Sequence, residues 1–379
     1  FYETGRSASN FSLDLGDKFN TSNVTIMAGM FTDTGCGATN FNLNLGSNFN
    51  TAKVTSMFSM FTGTGYSANS FNLDLGDKFD TSNVTNMSYM FRSVGHNATD
   101  FSLNLGSNFN TTKVTGMGFM FAEAGYSAND FNLHLGDKFD TSNVESMYSM
   151  FRTAGYNSKN FSLHLGNNFN AVNSGSMYSM FANMGYSANN FSLNLGSNFG
   201  GNMTTDFSYI FFCTGHNANN FSLDLGNNFN TINATTMASM FQGAGCNATS
   251  FSLDLGSNFN SVNATNMSGM FFGAGANANN FSLNLGSSFN TAKVTTMSYM
   301  FRNVGRSAND FNLHLGDKFD AGNVTDMTYM FLDTGREANN FNLHLGNNFN
   351  ASKITAAGGM FRNLGYNTNS FSLNLGNNF

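Results

Sequence analysis

Phenylalanine occupies residue 1 and every thirtieth residue after it as far as residue 361, without an insertion or a deletion. Glycine keeps the same period from Gly5 to Gly365, and so do the positions that begin with Phe11 and Leu13. A fixed period of this length is the signature of a solenoid, in which each repeat forms one coil and buries apolar side chains against its neighbours. We therefore predict one solenoid domain of about twelve and a half repeats over residues 1–379. Because the chain starts and stops within a unit, we expect a window on a longer array.

The composition narrows the possible functions. Charged residues make up 10% of the chain and the net charge is −6, so no basic stripe is available to hold nucleic acid. No run approaches the roughly 20 apolar residues that a membrane-spanning helix needs. The patterns of a nucleophile with its base, a phosphate loop or a converging carboxylate pair are also missing from the sequence. We therefore expect a non-enzymatic protein with no cofactor, no nucleic-acid partner and no membrane span in this window.

The first half of each unit has the spacing of a short helix. In the unit that begins at Asp80, the apolar residues Val84, Met87 and Phe91 fall on one helical face. Asp80 stands where an N-cap residue is expected, and Gly95 stands where a glycine with positive φ commonly ends a helix. The pattern therefore predicts a helix of about three turns, or a looser 3₁₀-rich version of it.

The second half of each unit has the alternation of a strand. Phe101, Leu103 and Leu105 alternate with the polar residues Ser102 and Asn104, which is typical of a strand with one face in the core. A strand and a helix in a constant unit indicate a solenoid of the leucine-rich-repeat kind. We therefore predict an α/β repeat solenoid whose thirty-residue coils each contain one short parallel strand and one short helix.

A set of residues that share one position in successive units is a column, named by one of its members. The Asp14 column lies on the solvent face of the predicted strand and includes His134, His164, His314 and His344. Imidazoles of adjacent coils can share a transition metal, but a site needs three or four ligands and no third one is evident. We favour the interpretation that this column is a ladder of polar side chains hydrated by solvent. These histidines are therefore only weak metal candidates.

A second column is a candidate partner-binding surface. It contains Tyr66, Tyr126, Tyr156 and Tyr186, and shares its position with arginine, histidine and cysteine in other units. That variety indicates an outward position, because a core column would keep one apolar type. A row of surface tyrosines there would be suited to contact a partner.

Asn-X-Ser/Thr acceptor sequences recur at the start of the predicted helix. They are the pattern of N-glycosylation in secreted eukaryotic proteins, and in an Asn- and Thr-rich chain they also arise by composition alone. The candidate acceptors are Asn23, Asn83, Asn233, Asn263 and Asn323.

The three cysteines, Cys36, Cys213 and Cys246, are too few for a disulfide framework. Cys213 and Cys246 lie in adjacent units, so a bridge between neighbouring coils is conceivable. Substitution at tolerant surface positions is the favoured interpretation of all three.

The stretch TSNVTNMSYMF at residues 81–91 recurs as TSNVTIMAGMF at 21–31 and TAKVTTMSYMF at 291–301. These segments resemble the BspA-like leucine-rich repeat family, in which an NVTxMxxMF stretch precedes a short apolar strand. The resemblance covers the first half of almost every unit and the strand half more loosely. It implies a surface-exposed or secreted protein linked to adhesion and to host or matrix partners, with no catalytic residues to carry over.

Two functions are therefore expected in order of preference. The first is a structural repeat protein of the cell surface or extracellular space that associates end to end and builds a fibre or surface layer. Near-identical repeats, low charge and the lack of a polar capping repeat favour it. The alternative is an adhesin-type module that binds a host protein or glycan through the concave polar ladder of its strand face.

Overall fold

The structure is a computed structural model that describes residues 1–76 and 78–378, and each repeat in it forms one coil of a parallel β-solenoid. The described residues form two compact units. Unit 1 comprises residues 1–174 and 183–188, and unit 2 comprises residues 175–182 and the described residues from 189 onward. The prediction of one domain that continues into a longer array stays a prediction.

Each coil carries one strand of five residues. In unit 1 the strands are β1 (Asn10–Asp14), β2 (Asn40–Asn44), β3 (Ser70–Asp74), β4 (Asp100–Asn104), β5 (Asp130–His134) and β6 (Asn160–His164). In unit 2 they are β7 (Asn190–Asn194), β8 (Asn220–Asp224), β9 (Ser250–Asp254), β10 (Asn280–Asn284), β11 (Asp310–His314), β12 (Asn340–His344) and β13 (Ser370–Asn374). The predicted strand in the second half of each unit is therefore confirmed.

All of these strands pair in parallel and in register, so that Phe131 lies opposite Phe161 and His134 opposite His164. In unit 1, β1 pairs with β2, β3 with β4, and β5 with β6. In unit 2, β7 to β10 form successive pairs, and β11, β12 and β13 form another sheet. A repeat without insertions produces this register, because each residue finds its counterpart one whole unit along the chain.

The core is built from columns that stack on themselves. Along β5, Phe131 and Leu133 are 1% and 0% exposed, and the residues between them face solvent. Phe131 stacks on Phe161 with ring centroids 5.3 Å apart, and the column of Phe91 and Phe121 repeats this contact at 5.4 Å. Parallel offset rings of this kind add to the free energy gained by burial. Each coil thus contributes the same phenylalanine and leucine columns to a continuous core within its unit.

The predicted helix between Asp80 and Gly95 is wrong, because residues 1–76 and 78–378 contain no helix. A helix requires the Phe91 N–H to donate to the Met87 carbonyl four residues earlier. The Phe91 N–H donates instead to the carbonyl oxygen of Met120 in the next coil, at 2.8 Å. The α/β class and its leucine-rich-repeat helix are therefore replaced by a β-solenoid.

The backbone in this segment alternates between two kinds of hydrogen bond. The Met90 N–H donates to Met87 within its own coil at 3.1 Å, and the Ser93 N–H donates to Ala122 of the next coil at 2.8 Å. The alternation requires residues whose backbone lies in the left-handed region, among them Tyr89 at φ 63° and Ser93 at φ 56°. The apolar side chains still turn inward, and the spacing that resembled a helical face marks a series of turns bonded to the neighbouring coil.

The backbone conformation of each coil requires glycine in two columns. Gly95 has φ +52°, and a Cβ there would lie 2.6 Å from the Cγ of Phe71. Gly106 has φ +75°, and a Cβ there would lie 2.6 Å from the carbonyl oxygen of Gly76. Only glycine accepts both the positive φ and the close approach.

Buried threonines bind neighbouring coils together. The Thr81 hydroxyl donates to the Asn110 carbonyl oxygen at 2.7 Å and accepts the Asn110 N–H at 2.6 Å. Thr291 makes the same two bonds to Asp320, both at 2.8 Å. Both threonines are fully buried, so their hydroxyls satisfy backbone groups that water cannot reach. At this corner the hydroxyls supplement the backbone bonds between coils, such as the one from the Thr291 N–H to the Lys318 carbonyl oxygen at 3.3 Å.

Candidate functional site

The outward side chains of the strands form a polar strand face in each unit. On β5 and β6, Asn132 and His134 point to solvent opposite Ser162 and His164, because strand side chains alternate in direction. Adjacent strands of a sheet lie about 4.8 Å apart, so side chains of one column stand at that interval. The strand face is therefore a set of regularly spaced hydrogen-bonding groups.

The four predicted histidines form two stacked pairs. The His134 and His164 rings lie 4.1 Å apart between centroids, and the His314 and His344 rings lie 5.6 Å apart. The His164 Nδ1 is 3.2 Å from the Ser162 hydroxyl. No cluster of three or more His, Cys, Asp or Glu residues able to hold a metal occurs among the described residues. The structure thus brings each pair together and shows no third ligand within its described part.

The strand face of unit 1 contains a polar groove. This groove has a volume of about 540 Å³ and extends over β1, β2 and β3. We call it the amide groove and define it by the outward residues Asp14, Asn42, Asn44, Asn72 and Asp74. It lies where two separate sheets meet, since β1 pairs with β2 and β3 pairs with β4. The sequence gives no signal for it, because the same columns recur in every coil.

A smaller groove of about 320 Å³ lies on the strand face of unit 2. Its outward lining includes Ser250, Ser252, Asn280, Ser282 and Asp310. Serines take the positions that longer asparagines hold in the amide groove, so this groove offers fewer amide groups to a ligand.

The predicted tyrosine column forms a ring ladder in unit 1. Successive centroid distances are 4.4 Å from Tyr66 to His96, 4.6 Å to Tyr126, 4.8 Å to Tyr156 and 4.6 Å to Tyr186. All four tyrosines are thus brought together, and His96 completes a row of five rings. Sequence reasoning missed His96, although its place in the same column was the signal that could have found it.

The ring ladder presents edges to solvent, because its ring faces cover one another. Tyr66 is 36% exposed and the other members are half-buried. Burial raises the pKa of the Tyr66 hydroxyl. The His96 Nδ1 lies 2.9 Å from the Asn97 side-chain oxygen and donates to it. A partner would therefore meet a row of hydroxyls, an imidazole edge and polarised C–H groups.

A second aromatic band in unit 1 was not predicted. Phe58 packs edge-on against Tyr89, Tyr89 stacks on Phe119 at 4.9 Å, and Phe119 contacts Tyr148 at 5.1 Å. The Arg92 guanidinium lies 5.9 Å and 5.7 Å from the Tyr89 and Phe119 ring centroids. Tyr89 and Phe119 have positive φ, which is unusual for bulky side chains. The helical interpretation of this segment concealed the band, because it placed these positions on different faces.

The candidate glycosylation residues are tied to neighbouring coils. Four of their five amide nitrogens donate to a carbonyl oxygen of the preceding coil, at 2.7–2.8 Å: Asn83, Asn233, Asn263 and Asn323. The fifth, Asn23, accepts a bond from Lys53 at 2.8 Å through its side-chain oxygen. A glycan replaces one of two amide hydrogens, so these contacts are compatible with modification, and glycosylation stays a prediction.

The three cysteines are free thiols. Burial, followed by the charge of Cys246, raises the pKa of Cys213 to about 12. Burial also raises the pKa values of Cys246 and Cys36. The conceivable bridge between Cys213 and Cys246 is therefore not formed in this structure, and both thiols are protonated at neutral pH.

One short strand per coil, in-register parallel pairing and constant inward columns of phenylalanine and leucine define a β-solenoid repeat protein. Within the described part of the chain, no helix has the length and apolar character required to cross a bilayer. The chain belongs to the family described as Mycoplasma protein of unknown function, DUF285, whose pattern matches residues 2–132, 66–191, 156–283 and 247–377. Searches of the curated proteins and of the solved structures with this chain found no significant match. The family match supports a repeat protein of this kind, and the narrower BspA-like resemblance is not confirmed.

Proposed function

We propose that this protein is a non-enzymatic structural repeat protein of the cell surface or extracellular space. In this proposal its coils form stiff strips that associate end to end into a fibre or surface layer. The observation that carries the proposal is that the contacts between neighbouring coils recur in both units. The Thr81 and Thr291 hydroxyls make the same pair of backbone bonds, and each unit contains long phenylalanine stacks.

Repeated contacts support a mechanical role because they spread stability evenly along the stack. In a solenoid each coil depends on its nearest neighbours, so no single loop controls the whole assembly. The groups that join coils belong to repeated columns, and a coil of a second chain therefore offers the partners that a coil of the same chain offers. Such a surface is suited to association between copies.

The test is electron microscopy of the purified protein over a range of concentrations, together with sedimentation velocity. We expect fibres or sheets whose length grows with protein concentration. Single particles of constant size at the highest concentration would contradict assembly. The proposed location is checked separately by protease treatment of intact source cells, which should remove the protein before cytoplasmic markers are cut.

A second candidate function is a recognition module that binds host protein or glycan through the strand face. The observation that favours it is the regular spacing of polar groups on that face, including the His134 and His164 pair. The ring ladder supplies a neighbouring surface of a type enriched at interfaces. In this function the rigid coils hold the binding groups in place before the ligand arrives, which reduces the entropy cost of binding.

This candidate is tested by surface plasmon resonance of the immobilised chain against matrix proteins and glycans. Replacing His134 and His164 by alanine should weaken a saturable response on the strand face, and Tyr156→Ala should weaken one on the ring ladder. Circular dichroism of each variant checks that the fold survives. A response that none of these changes alters would exclude the histidine pair and the ring ladder as the binding site.

A further inference from the structure

The amide groove of unit 1 is a concave part of the strand face and is larger than the groove of unit 2. Its volume of about 540 Å³ falls within the range of about 300–1,000 Å³ that is usual for small-ligand sites. Its defining side chains, Asp14, Asn42, Asn44, Asn72 and Asp74, all face solvent. The groove therefore combines room for a ligand with polar groups on adjacent coils.

Backbone turns hold three of these side chains in place. The Oδ1 atoms of Asp14, Asn44 and Asp74 accept the N–H groups two residues later, at 2.9, 3.0 and 3.0 Å. The rest of each carboxylate or amide group is thereby oriented before a ligand binds. Preorganised polar groups lose little conformational entropy on binding, which favours affinity for a small ligand.

The order of these groups selects the chemistry of the ligand. Along the Asp14 column, a carboxylate, an amide and a carboxylate follow one another in three coils. Carboxylates accept hydrogen bonds only, and an amide both donates and accepts. A ligand that fits this row donates to the two carboxylates and either donates to or accepts from the amide, and hydroxyl groups meet that requirement. Asp14 and Asp74 together with the net charge of −6 disfavour anionic ligands.

The length of the row sets the size of the ligand. Three coils cover about 10 Å at the usual strand spacing, which is comparable to a short chain of sugar rings. We propose that the amide groove binds a neutral oligosaccharide of two or three sugar units. The proposal rests on the recognition function and adds to it one location and one ligand class. In it, the two carboxylates accept bonds from sugar hydroxyls and the Asn44 amide donates to a hydroxyl or ring oxygen.

The experiment uses isothermal titration calorimetry and saturation-transfer NMR on the full chain. The probes are the neutral trisaccharides cellotriose, maltotriose, mannotriose and chitotriose, with trigalacturonate as the anionic comparison. We expect saturable binding of at least one neutral trisaccharide and no binding of trigalacturonate. Binding of trigalacturonate in preference to all neutral probes would overturn the ligand class.

The location is tested with Asp14→Asn combined with Asp74→Asn. Asparagine accepts the same turn bond, as Asn44 does from Gly46 at 3.0 Å, so this variant should keep the fold. We expect the affinity for the neutral trisaccharide to fall about tenfold, since bonds to a charged acceptor are stronger than those to a neutral one.

The matched control is Asp224→Asn combined with Asp254→Asn, two residues of the same column on β8 and β9 of unit 2. They make the same turn bonds, at 2.9 and 2.8 Å, and they line neither the amide groove nor the smaller groove of unit 2. We expect this control to bind like the unaltered protein.

Equal losses in both variants would overturn the groove as the site while leaving recognition by the strand face intact. Failure of all four neutral trisaccharides at their solubility limit would overturn the saccharide proposal. The surface plasmon resonance test would then decide the recognition function by itself, since it includes protein partners. The structural proposal is decided by microscopy without any sugar, so the failures can be told apart.

Discussion

Units 1 and 2 share their inward columns and differ in the outward column that contains the ring ladder. In unit 1 this column stacks aromatic rings, including Tyr126 on Tyr156 at 4.8 Å. In unit 2 it contains Arg306, whose guanidinium lies 2.8 Å from the Glu337 carboxylate of the next coil. The same column thus forms an aromatic stack over five coils of unit 1 and makes an exposed ion pair at Arg306 in unit 2, as it also does at Arg6 near the start of unit 1. The comparison shows that the fold restricts the residue types of the inward columns. The outward columns can change residue type and are available for function.

The largest predicted effect tests whether the two cores are equivalent. Leu133→Ala in unit 1 and Leu313→Ala in unit 2 each remove a side chain that is 0% exposed. We expect each to lower the free energy of unfolding by about 2–5 kcal/mol, because the transfer free energy is lost and a cavity remains. Urea denaturation followed by circular dichroism measures both values. If the two losses in the free energy of unfolding differ by more than a factor of two, the inward columns of the two units are not equivalent.

The next effect concerns the buried threonines that join coils. Thr81→Val and Thr291→Val keep the shape but leave a buried N–H and a buried carbonyl oxygen without their partner. We expect a loss of about 1–3 kcal/mol in each unit. Thr81→Ser and Thr291→Ser retain the hydroxyl and serve as controls in the same denaturation experiment. If the valine variants are as stable as the serine variants, the hydroxyl bridges do not stabilise the stack.

A smaller effect should separate the two units. Tyr126→Ala removes ring contacts to His96 at 4.6 Å and to Tyr156 at 4.8 Å, and we expect a cost of about 1–2 kcal/mol. Arg306→Ala changes the same column in unit 2 and should cost less, because its ion pair is exposed. Thermal denaturation compares the two variants. A larger cost for Arg306→Ala would contradict the expectation that the ring stack stabilises its unit more than the exposed ion pair does.

The smallest predicted effect is the pH dependence of the ion pair. The hydrogen bond from Arg306 lowers the pKa of Glu337 below its ordinary value of 4.5. The stabilisation is therefore present above the ordinary pKa and disappears as pH falls through the lowered one. The side chains are 38% and 39% exposed, so solvent screens the pair and Glu337→Gln should cost only a few tenths of a kcal/mol at pH 7.

Stability measured from pH 7 to pH 2 should show the two proteins converging as Glu337 becomes protonated. High salt should also reduce the difference at pH 7, since it screens exposed charges. A difference that grows on acidification would mean that another group controls the effect.

The strands and the inward columns could be predicted from the sequence, because period-two alternation is read within five residues. The inward positions of Phe131 and Leu133 follow from this rule. The helix was predicted wrongly because apolar residues at i, i+3 and i+7 suit both a helical face and a series of turns. The deciding information is the acceptor of the Phe91 N–H, which lies in the next coil, on Met120. A bond between residues so far apart in sequence leaves no local pattern.

Some of the candidate sites could be predicted from the sequence and others could not. The histidine pairs and the ring ladder could be predicted as columns, because an in-register solenoid stacks every column. The amide groove could not, because it depends on where one sheet ends between β2 and β3. The band around Tyr89 and Arg92 could not either, because it depends on left-handed residues in a segment that resembles a helix.

Bonding each coil to the next through equivalent residues has a consequence for how such genes change in length. Gain or loss of one complete thirty-residue unit joins an existing coil surface to another of the same kind, so every junction is preserved. Gain or loss of a single residue shifts all later columns and places polar side chains among stacked phenylalanines. Unequal recombination between repeats is therefore tolerated where small indels are not. Natural length variants should accordingly differ by whole multiples of the repeat.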